Sequence, residues 1–273
     1  MLEHWTRLQG IARSLRMYYA NPERRTLMDR LNARFVRPGD LVFDVGAHVG
    51  DRIASFRRLG ARVIAVEPQP ALATTLKLLY GRDTGVTIER LAIGKRPGQL
   101  ELLLNLKNPT ISTTSHAFVA ASAGAPGWEG QEWTRSVDVE AITLDALIVR
   151  HGMPAFIKLD VEGSEADALF GLSRPARALS FEFTTIQPDI ASACIRRCAG
   201  LGYGCFNAAL GERHVLVHPQ WLSAEEISNW TATLPLSANS GDIYAVLEHD
   251  PDKAARDAGW EPVFGKDHGP PNK

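Results

Sequence analysis

The sequence predicts a doubly wound α/β sheet with helices on both faces. Three observations carry this: short apolar runs that end in an acidic residue, glycine turns directly after them, and helical periodicity between one run and the next. Apolar runs of this length, bounded by turns, fit strands covered on both faces, and such strands need crossover helices to lie parallel.

Residues 1–37 read as helical and basic, with eight arginines. Trp5, Leu8, Ile11, Leu15 and Tyr18 or Tyr19 recur at helical spacing, and Asn21-Pro22 divides the region into two helices. Glu3, Glu23 and Asp29 interrupt the positive charge, so this extension is expected to cap the sheet rather than meet an anionic partner or a membrane face. The α/β domain proper is expected at 38–250. Leu41, Val42 and Phe43 form a strand ending in Asp44, Gly46 and Gly50 frame a turn, and Ile53, Phe56 and Leu59 mark a helix. Residues 63–66 form the second strand, ending in Glu67, and Pro68 and Pro70 open a helix through Leu79. Strands are predicted at 86–93, 99–106 and 137–142, with a helix starting at Thr143. The next buried strand is 155–161, followed by a helix at 165–172, a strand at 179–183 and a helix at 190–201. Closing strands are expected at 215–217 and 243–247, and Ser223-Ala224-Glu225-Glu226 is a capping box opening a helix toward Leu234.

Between 108 and 136 the texture changes to Ser, Thr, Gly, Ala and Pro, which reads as a lid or substrate loop, partly ordered by Trp128 and Trp133. Residues 251–273 read as a loosely ordered tail.

Composition bounds the function. A net charge of −1 and a pI near 6.7 argue against a global nucleic-acid footprint, and 45% hydrophobic with 22% charged residues describes an ordinary soluble globule. No apolar stretch reaches the roughly 18 residues of a membrane span. The N-terminus lacks a signal-peptide core, so a cytoplasmic location is expected. Cys194, Cys198 and Cys205 fit free thiols better than disulfides, and their spacing with His214 matches no common zinc pattern. The chain carries no signature of its oligomeric state.

The turn after the first strand discriminates between ligands. A dinucleotide site uses G-x-G-x-x-G, which brings backbone N–H groups to a pyrophosphate. Here the pattern is D-x-G-x-x-x-G from Asp44 to Gly50, with an anion where phosphate would approach. Asp44 repels phosphate and attracts an ammonium or sulfonium, and Glu67, about 20 residues on, suits a ribose. S-adenosylmethionine offers all three groups. An NAD-dependent oxidoreductase is the alternative on this fold class, and a non-catalytic module binding the same methyl donor is the alternative outside enzymes.

A second constellation runs Phe156-Ile157-Lys158-Leu159-Asp160-Val161-Glu162-Gly163-Ser164-Glu165. Strand alternation puts Lys158 and Asp160 on one face, with three carboxylates at the strand's C-terminal end, where open α/β sheets bind ligands. The plainer reading is an ion pair of Lys158 with Asp160 or Glu165, together with acids at a helix N-terminus.

With these pieces in place, the sequence resembles the FkbM family of S-adenosylmethionine-dependent methyltransferases. The resemblance rests on Asp44-Val-Gly-Ala-His-Val-Gly50, Val66-Glu67-Pro68, Leu91-Ala-Ile-Gly94, Thr143-Leu-Asp145, the run Ile157 to Glu165 and Gly241-Asp-Ile-Tyr-Ala245. It implies a mostly parallel, seven-stranded Rossmann-like sheet whose last strand is antiparallel. It also implies O-methylation of a sugar, glycan or secondary-metabolite hydroxyl, leaving S-adenosylhomocysteine, with a small-molecule or glycan acceptor and no nucleic acid. By the same resemblance Asp44, Gly46 and Gly50 line the methionine end, and Ala47, Pro68 and Asp160 are also expected to bind the cofactor; His48 reads as a turn residue touching it through its backbone. Glu67 holds the ribose, Ala92 lies near the adenine, and Asp160 and Glu162 border the transferred methyl. The family more often carries Asn where His48 stands and an aromatic-rich continuation where Asp51-Arg52 stand.

The expected reaction is in-line displacement by an acceptor oxygen, which gains from a general base. Asp160 is the first choice, then Glu182 at the next strand end, then His116 in the lid segment. Asp160, Glu162 and Glu182 could also form a carboxylate cluster of the kind magnesium accepts, but no carboxamide or histidine stands beside them in sequence, and the reading without metal is favoured.

Overall fold

The computed structural model describes residues 2–247, so the expected tail at 251–273 lies outside the described residues. In chain order the strands are β1 (Leu41–Val45), β2 (Arg62–Val66), β3 (Val86–Glu89), β4 (Ala92–Ile93), β5 (Gly98–Leu104), β6 (Arg135–Ile142), β7 (Phe156–Leu159), β8 (Ala178–Thr184), β9 (Cys205–Leu210) and β10 (Ser240–Val246). The helices are α1 (Leu2–Tyr19), α2 (Pro22–Asn32), α3 (Asp51–Arg58), α4 (Pro70–Tyr80), α5 (His116–Ser122), α6 (Leu144–His151), α7 (Glu165–Phe170), α8 (Pro188–Gly200) and α9 (Ala224–Ala232).

Seven strands form the main sheet, in the order β3-β2-β1-β7-β8-β10-β9. Parallel pairing joins β3, β2, β1, β7 and β8, while β10 runs antiparallel to both β8 and β9. This is a doubly wound, mostly parallel, Rossmann-like sheet with its last strand reversed. Burial explains the apolar runs: every residue of β1 and β7 is buried, and two clusters, around Phe43, Ile157 and Phe181 and around Val42, Phe56 and Phe156, fill the sheet's two faces. Strand order reverses between β1 and β7, so the loops leaving those two strands part around a crevice, as ligand sites in open sheets require.

Two strand expectations are corrected. The run 86–93 is not one strand: β3 ends at Glu89, and β4 joins a three-stranded sheet, β4-β6-β5. β3 is a half-buried edge strand, whereas Leu91, Ala92 and Ile93 are buried. The continuing apolar run hides a change of partner. Residues 215–217 are not a strand either, although Leu216 is buried and the Val217 amide donates to the Ala208 carbonyl. The edge strand is β9, Cys-Phe-Asn-Ala-Ala-Leu, which contains no β-branched residue to announce it.

The 108–136 segment holds α5, with Ser115 as its N-cap, and an aromatic cluster in which Phe118 packs edge-on against Trp128 and Trp133. Backbone hydrogen bonds between Leu103 and Thr113 fasten the segment to β5. Trp133 Nε1 donates to the Ile111 carbonyl, so this ring is committed to packing. The Ser223–Glu226 capping box forms in full at the start of α9. At the N-terminus, Ile11, Leu15 and Tyr18 of α1 pack on Val49 and Leu72, and Gly10 lies against the Leu106 carbonyl. Cys194 and Cys198 are buried on α8 and Cys205 is part-buried, all three as free thiols. Among the described residues no helix is long and apolar enough to cross a membrane.

Candidate functional site

The chain leaves β1 through Gly46, whose φ of 84° favours glycine and whose ideal Cβ would lie 1.7 Å from the Asp160 carbonyl oxygen. No side chain fits where the β1 and β7 backbones pass this closely. The Gly46 and Ala47 amides donate to the Val66 carbonyl at 2.9 and 3.0 Å, tying the turn to the end of β2. His48 is left-handed, at φ 49°, which directs its amide onto Glu67 Oε2 at 2.9 Å. The Gln69 amide donates to Glu67 Oε1 at 2.8 Å. Each carboxylate oxygen therefore has one fixed donor and one lone pair to offer. Burial pushes the Glu67 carboxyl up to about 8, against the pull of those two amides.

The end of β7 carries the densest charge. Lys158 is buried, with Nζ 2.6 Å from Asp160 Oδ2 and 3.6 Å from Asp242 Oδ1. Of the two partners the sequence offered, Asp160 is the one used. Glu165 instead caps its own loop, accepting the Val161 amide on Oε1 and the Gly163 amide on Oε2. Burial alone would raise the Asp160 carboxyl, but the adjacent Lys158 ammonium holds it below the ordinary carboxylate value. Glu162, left-handed at φ 53°, and Glu182 at the end of β8 are both pushed well up, first by burial and then by neighbouring carboxylates. One oxygen each from Asp160, Glu162 and Glu182 lies within 4.8 Å of the others. Two like charges at that separation repel by about 3 kcal/mol at an effective dielectric of about 20.

Between the turn and the β7 end opens a cleft. Of the residues singled out in the sequence, Gly46, Ala47, His48, Glu67, Pro68, Ala92, Asp160 and Glu162 line it. Four do not. Asp44 is fully buried beneath the turn, neither of its oxygens finds a hydrogen-bond partner among the described residues, and burial raises it to about 7. Gly50 starts α3, its carbonyl accepting from Tyr80 Oη. Glu182 lines a smaller neighbouring pocket with Gln187, and His116 points to solvent beside Glu101.

Sequence reasoning missed the cleft's other walls. Tyr18 comes from α1, stacking edge-on against His48, while Thr110, Ser112, Thr113 and Thr114 come from the 108–136 segment. Gln69 fastens that segment to the cleft by donating to the Pro109 carbonyl and accepting from Ser112 Oγ. Asp51, Arg52 and Glu212 close one side, and they belong to an alternating series of charges, Asp51–Arg24–Glu212–Arg52–Asp242–Lys158–Asp160. It runs from the start of α3 by way of α2 to the end of β7. Asp242 lay within the late Gly-Asp-Ile-Tyr-Ala match and Arg52 at a departure from the family pattern, but neither carried a pairing signal.

The sequence model of the Methyltransferase FkbM domain matches residues 44–204, more than half of the chain. The chain belongs to the FkbM methyltransferase family, and its cofactor is S-adenosylmethionine. No curated protein sequence matches it. Among solved structures, an O-methyltransferase from Bacillus cereus in complex with SAH is similar at 11% identity and a TM-score of 0.43, with 89% of this chain and 90% of that one covered. The precorrin-6y C5,15-methyltransferase of Geobacter metallireducens GS-15 follows at 12% identity and a TM-score of 0.39, covering 82% and 87%. Aeropyrum pernix fibrillarin with bound S-adenosyl-L-methionine stands at 10% and 0.38, covering 78% and 68%.

Proposed function

We propose that the chain moves the methyl group of S-adenosylmethionine to a hydroxyl oxygen of a sugar, glycan or secondary-metabolite acceptor. One observation carries the reading: Glu67, clamped by two backbone amides, and Asp160, held ionised by Lys158, line the same cleft. In this reading Glu67 accepts from the ribose hydroxyls, Ala47 and His48 meet the methionine end behind Gly46, and Pro68 and Ala92 flank the adenine. Asp44 acts from beneath the turn, its negative potential favouring the donor's ammonium, and Gly50 shapes the start of α3. The 108–136 segment covers the acceptor side through Thr110 to Thr114, and residues 1–37 form an extension to a transferase domain beginning at 38. A net charge of −1 accords with an uncharged hydroxyl acceptor rather than nucleic acid, and free cysteines accord with a reducing, cytoplasmic setting.

An acceptor lone pair forms the O–C bond as the C–S bond breaks, its electrons staying on sulfur to give S-adenosylhomocysteine. The hydroxyl proton passes to Asp160, which is ionised at neutral pH and faces the cleft. Glu162 borders the same point, and Glu182 acts through the cluster without touching the acceptor. Because the sulfonium is intrinsically reactive, placement and exclusion of water supply most of the rate.

Calorimetry with S-adenosylmethionine, S-adenosylhomocysteine and NAD tests the donor half. We expect micromolar binding of the first two, none of NAD, and about 100-fold weaker donor binding in Glu67→Ala, the scale of losing two hydrogen bonds to a carboxylate. A panel of hydroxyl, amine and carbon acceptors with labelled donor tests the other half, and label on nitrogen or carbon would overturn the hydroxyl assignment.

A further inference from the structure

Ile11, Leu15 and Tyr18 account for the inward face of α1, but its outward face has no such partner. Trp5, Leu8, Ala12 and Tyr19 recur there at helical spacing as one exposed stripe, bordered by Arg13 and Arg16. α4 lies alongside. Ile11 packs on Leu72, and Tyr19 Oη meets Tyr80 Oη at 2.6 Å, equally far along both helices, so the two run parallel. Leu78 and Leu79, next to Tyr80, therefore extend the stripe. Trp5 is 62% and Leu78 83% exposed, values that mark side chains with nothing packed on them. The charge on this face has one sign. From Trp5 to Ala20 and from Pro70 to Arg82 there is no Asp or Glu, although the chain holds 31 in 273 residues and has a net charge of −1. Arg13, Arg16, Lys77 and Arg82 are all exposed, and Asp83, the acid next to them in sequence, is taken by Arg57. The acids flanking α1's stretch are Glu3 at the start of the helix and Glu23 on α2.

We propose that the α1/α4 face docks the protein on the surface of an anionic lipid bilayer. Trp5, Leu8, Leu78 and Leu79 enter the boundary between headgroups and acyl chains, and Tyr19 sits at headgroup level. The four cations meet the phosphates and carboxylates of anionic lipids, the complement that a face without acids requires. A second copy of this chain fits less well, because a two-fold contact sets Arg13 and Arg16 against their own equivalents. Nucleic acid would answer the cations but give Leu8, Leu78 and Leu79 no apolar surface to bury. The cap expected from the sequence and a membrane face are thus two sides of one helix. Consecutive tyrosines divide the tasks: Tyr18 lines the donor cleft and Tyr19 stands exposed on the docking face. Docking therefore holds the cleft close to the lipid surface.

The full chain is floated with vesicles of phosphatidylcholine containing about one third phosphatidylserine, and with vesicles of phosphatidylcholine alone. We expect binding to the anionic vesicles and little to the neutral ones. Affinity should fall at least about tenfold in the double variant Arg13→Gln/Arg16→Gln and in Leu78→Ser. Val149→Ser removes an equally exposed side chain from α6, which packs on the opposite face of the sheet, and should bind like the wild type. All these positions are exposed, and circular dichroism checks that each variant is folded. Failure of the wild type to bind anionic vesicles overturns the proposal, as do equal binding to both vesicle types and affinity unchanged in both patch variants. A dimer in sedimentation that Leu78→Ser abolishes, with no lipid binding, gives the face to a second copy instead. Retention on a labelled oligonucleotide but not on vesicles gives it to nucleic acid.

Discussion

Gly46 carries a double constraint, a positive φ and a backbone neighbour 1.7 Å from where a Cβ would stand. The obstructing atom is a carbonyl in the centre of the sheet and cannot swing aside. Gly46→Ala is expected to cost about 3 kcal/mol or more in urea denaturation and to abolish donor binding, because any shift of β7 moves Asp160. Glu67 makes a second residue-level prediction. Its carboxyl sits near 8 in the fold, and that of Asp44 near 7, against about 4 for carboxyls in an unfolded chain. The folded state thus binds more protons across that interval, and stability falls as pH rises from about 4 through 8. A melting series from pH 5 to 9 on the donor-free protein should show this decline, and Glu67→Gln should flatten its upper part. A profile rising across that range would contradict the burial assigned to both groups.

At the scale of elements, the main sheet was legible wherever an apolar run ended in a turn signal, as β1, β2, β7 and β8 did. Reading failed where local pattern and partner choice diverge. Residues 86–93 are continuously strand-like, but β3 pairs with β2 and β4 with β6, a difference set by tertiary contacts alone. β9 lacks β-branched residues and is strand only because β10 lies beside it. The site divides in the same way. Gly46, Glu67 and Asp160 follow from motifs within a few residues of a strand end. Tyr18 and Glu212 reach the cleft from distant segments, the Arg24–Glu212 bond spanning 188 positions, and Asp242 meets it only through Arg52 and Lys158. The charged series is open to direct test through Arg52, a buried guanidinium between Glu212 and Asp242. Arg52→Met strands Asp242 with only Lys158 and should cost about 3–5 kcal/mol in denaturant unfolding. A loss below 1 kcal/mol would mean that the series adds little to stability.

For the whole molecule, α1 and α2 are part of the cleft's construction as well as a cover. Tyr18 lines the cleft, Arg24 on α2 binds Asp51 and Glu212, and Ile11 packs against Val49 in the turn after β1. Deleting residues 1–20 should leave a cooperatively folded sheet, since its two largest apolar clusters contain no residue of α1. Donor affinity should fall at least tenfold by calorimetry, and full retention would show that α1 is only a cover.

The position of β10 also sets an order of events during synthesis. It is the last strand in the described chain, yet it lies inside the sheet between β8 and β9, and it brings Asp242 to Lys158 and Arg52. A nascent chain that has emerged only as far as β9 presents exposed strand edges at β8 and β9, and it lacks the Asp242 carboxylate that Lys158 and Arg52 share. Such an intermediate cannot close its sheet, and its open edges invite pairing with other chains. Closure of the sheet therefore waits on β10. Ribosome-stalled chains ending before and after residue 246 should differ sharply in protease resistance, and equal resistance would show that the sheet closes without its inner reversed strand.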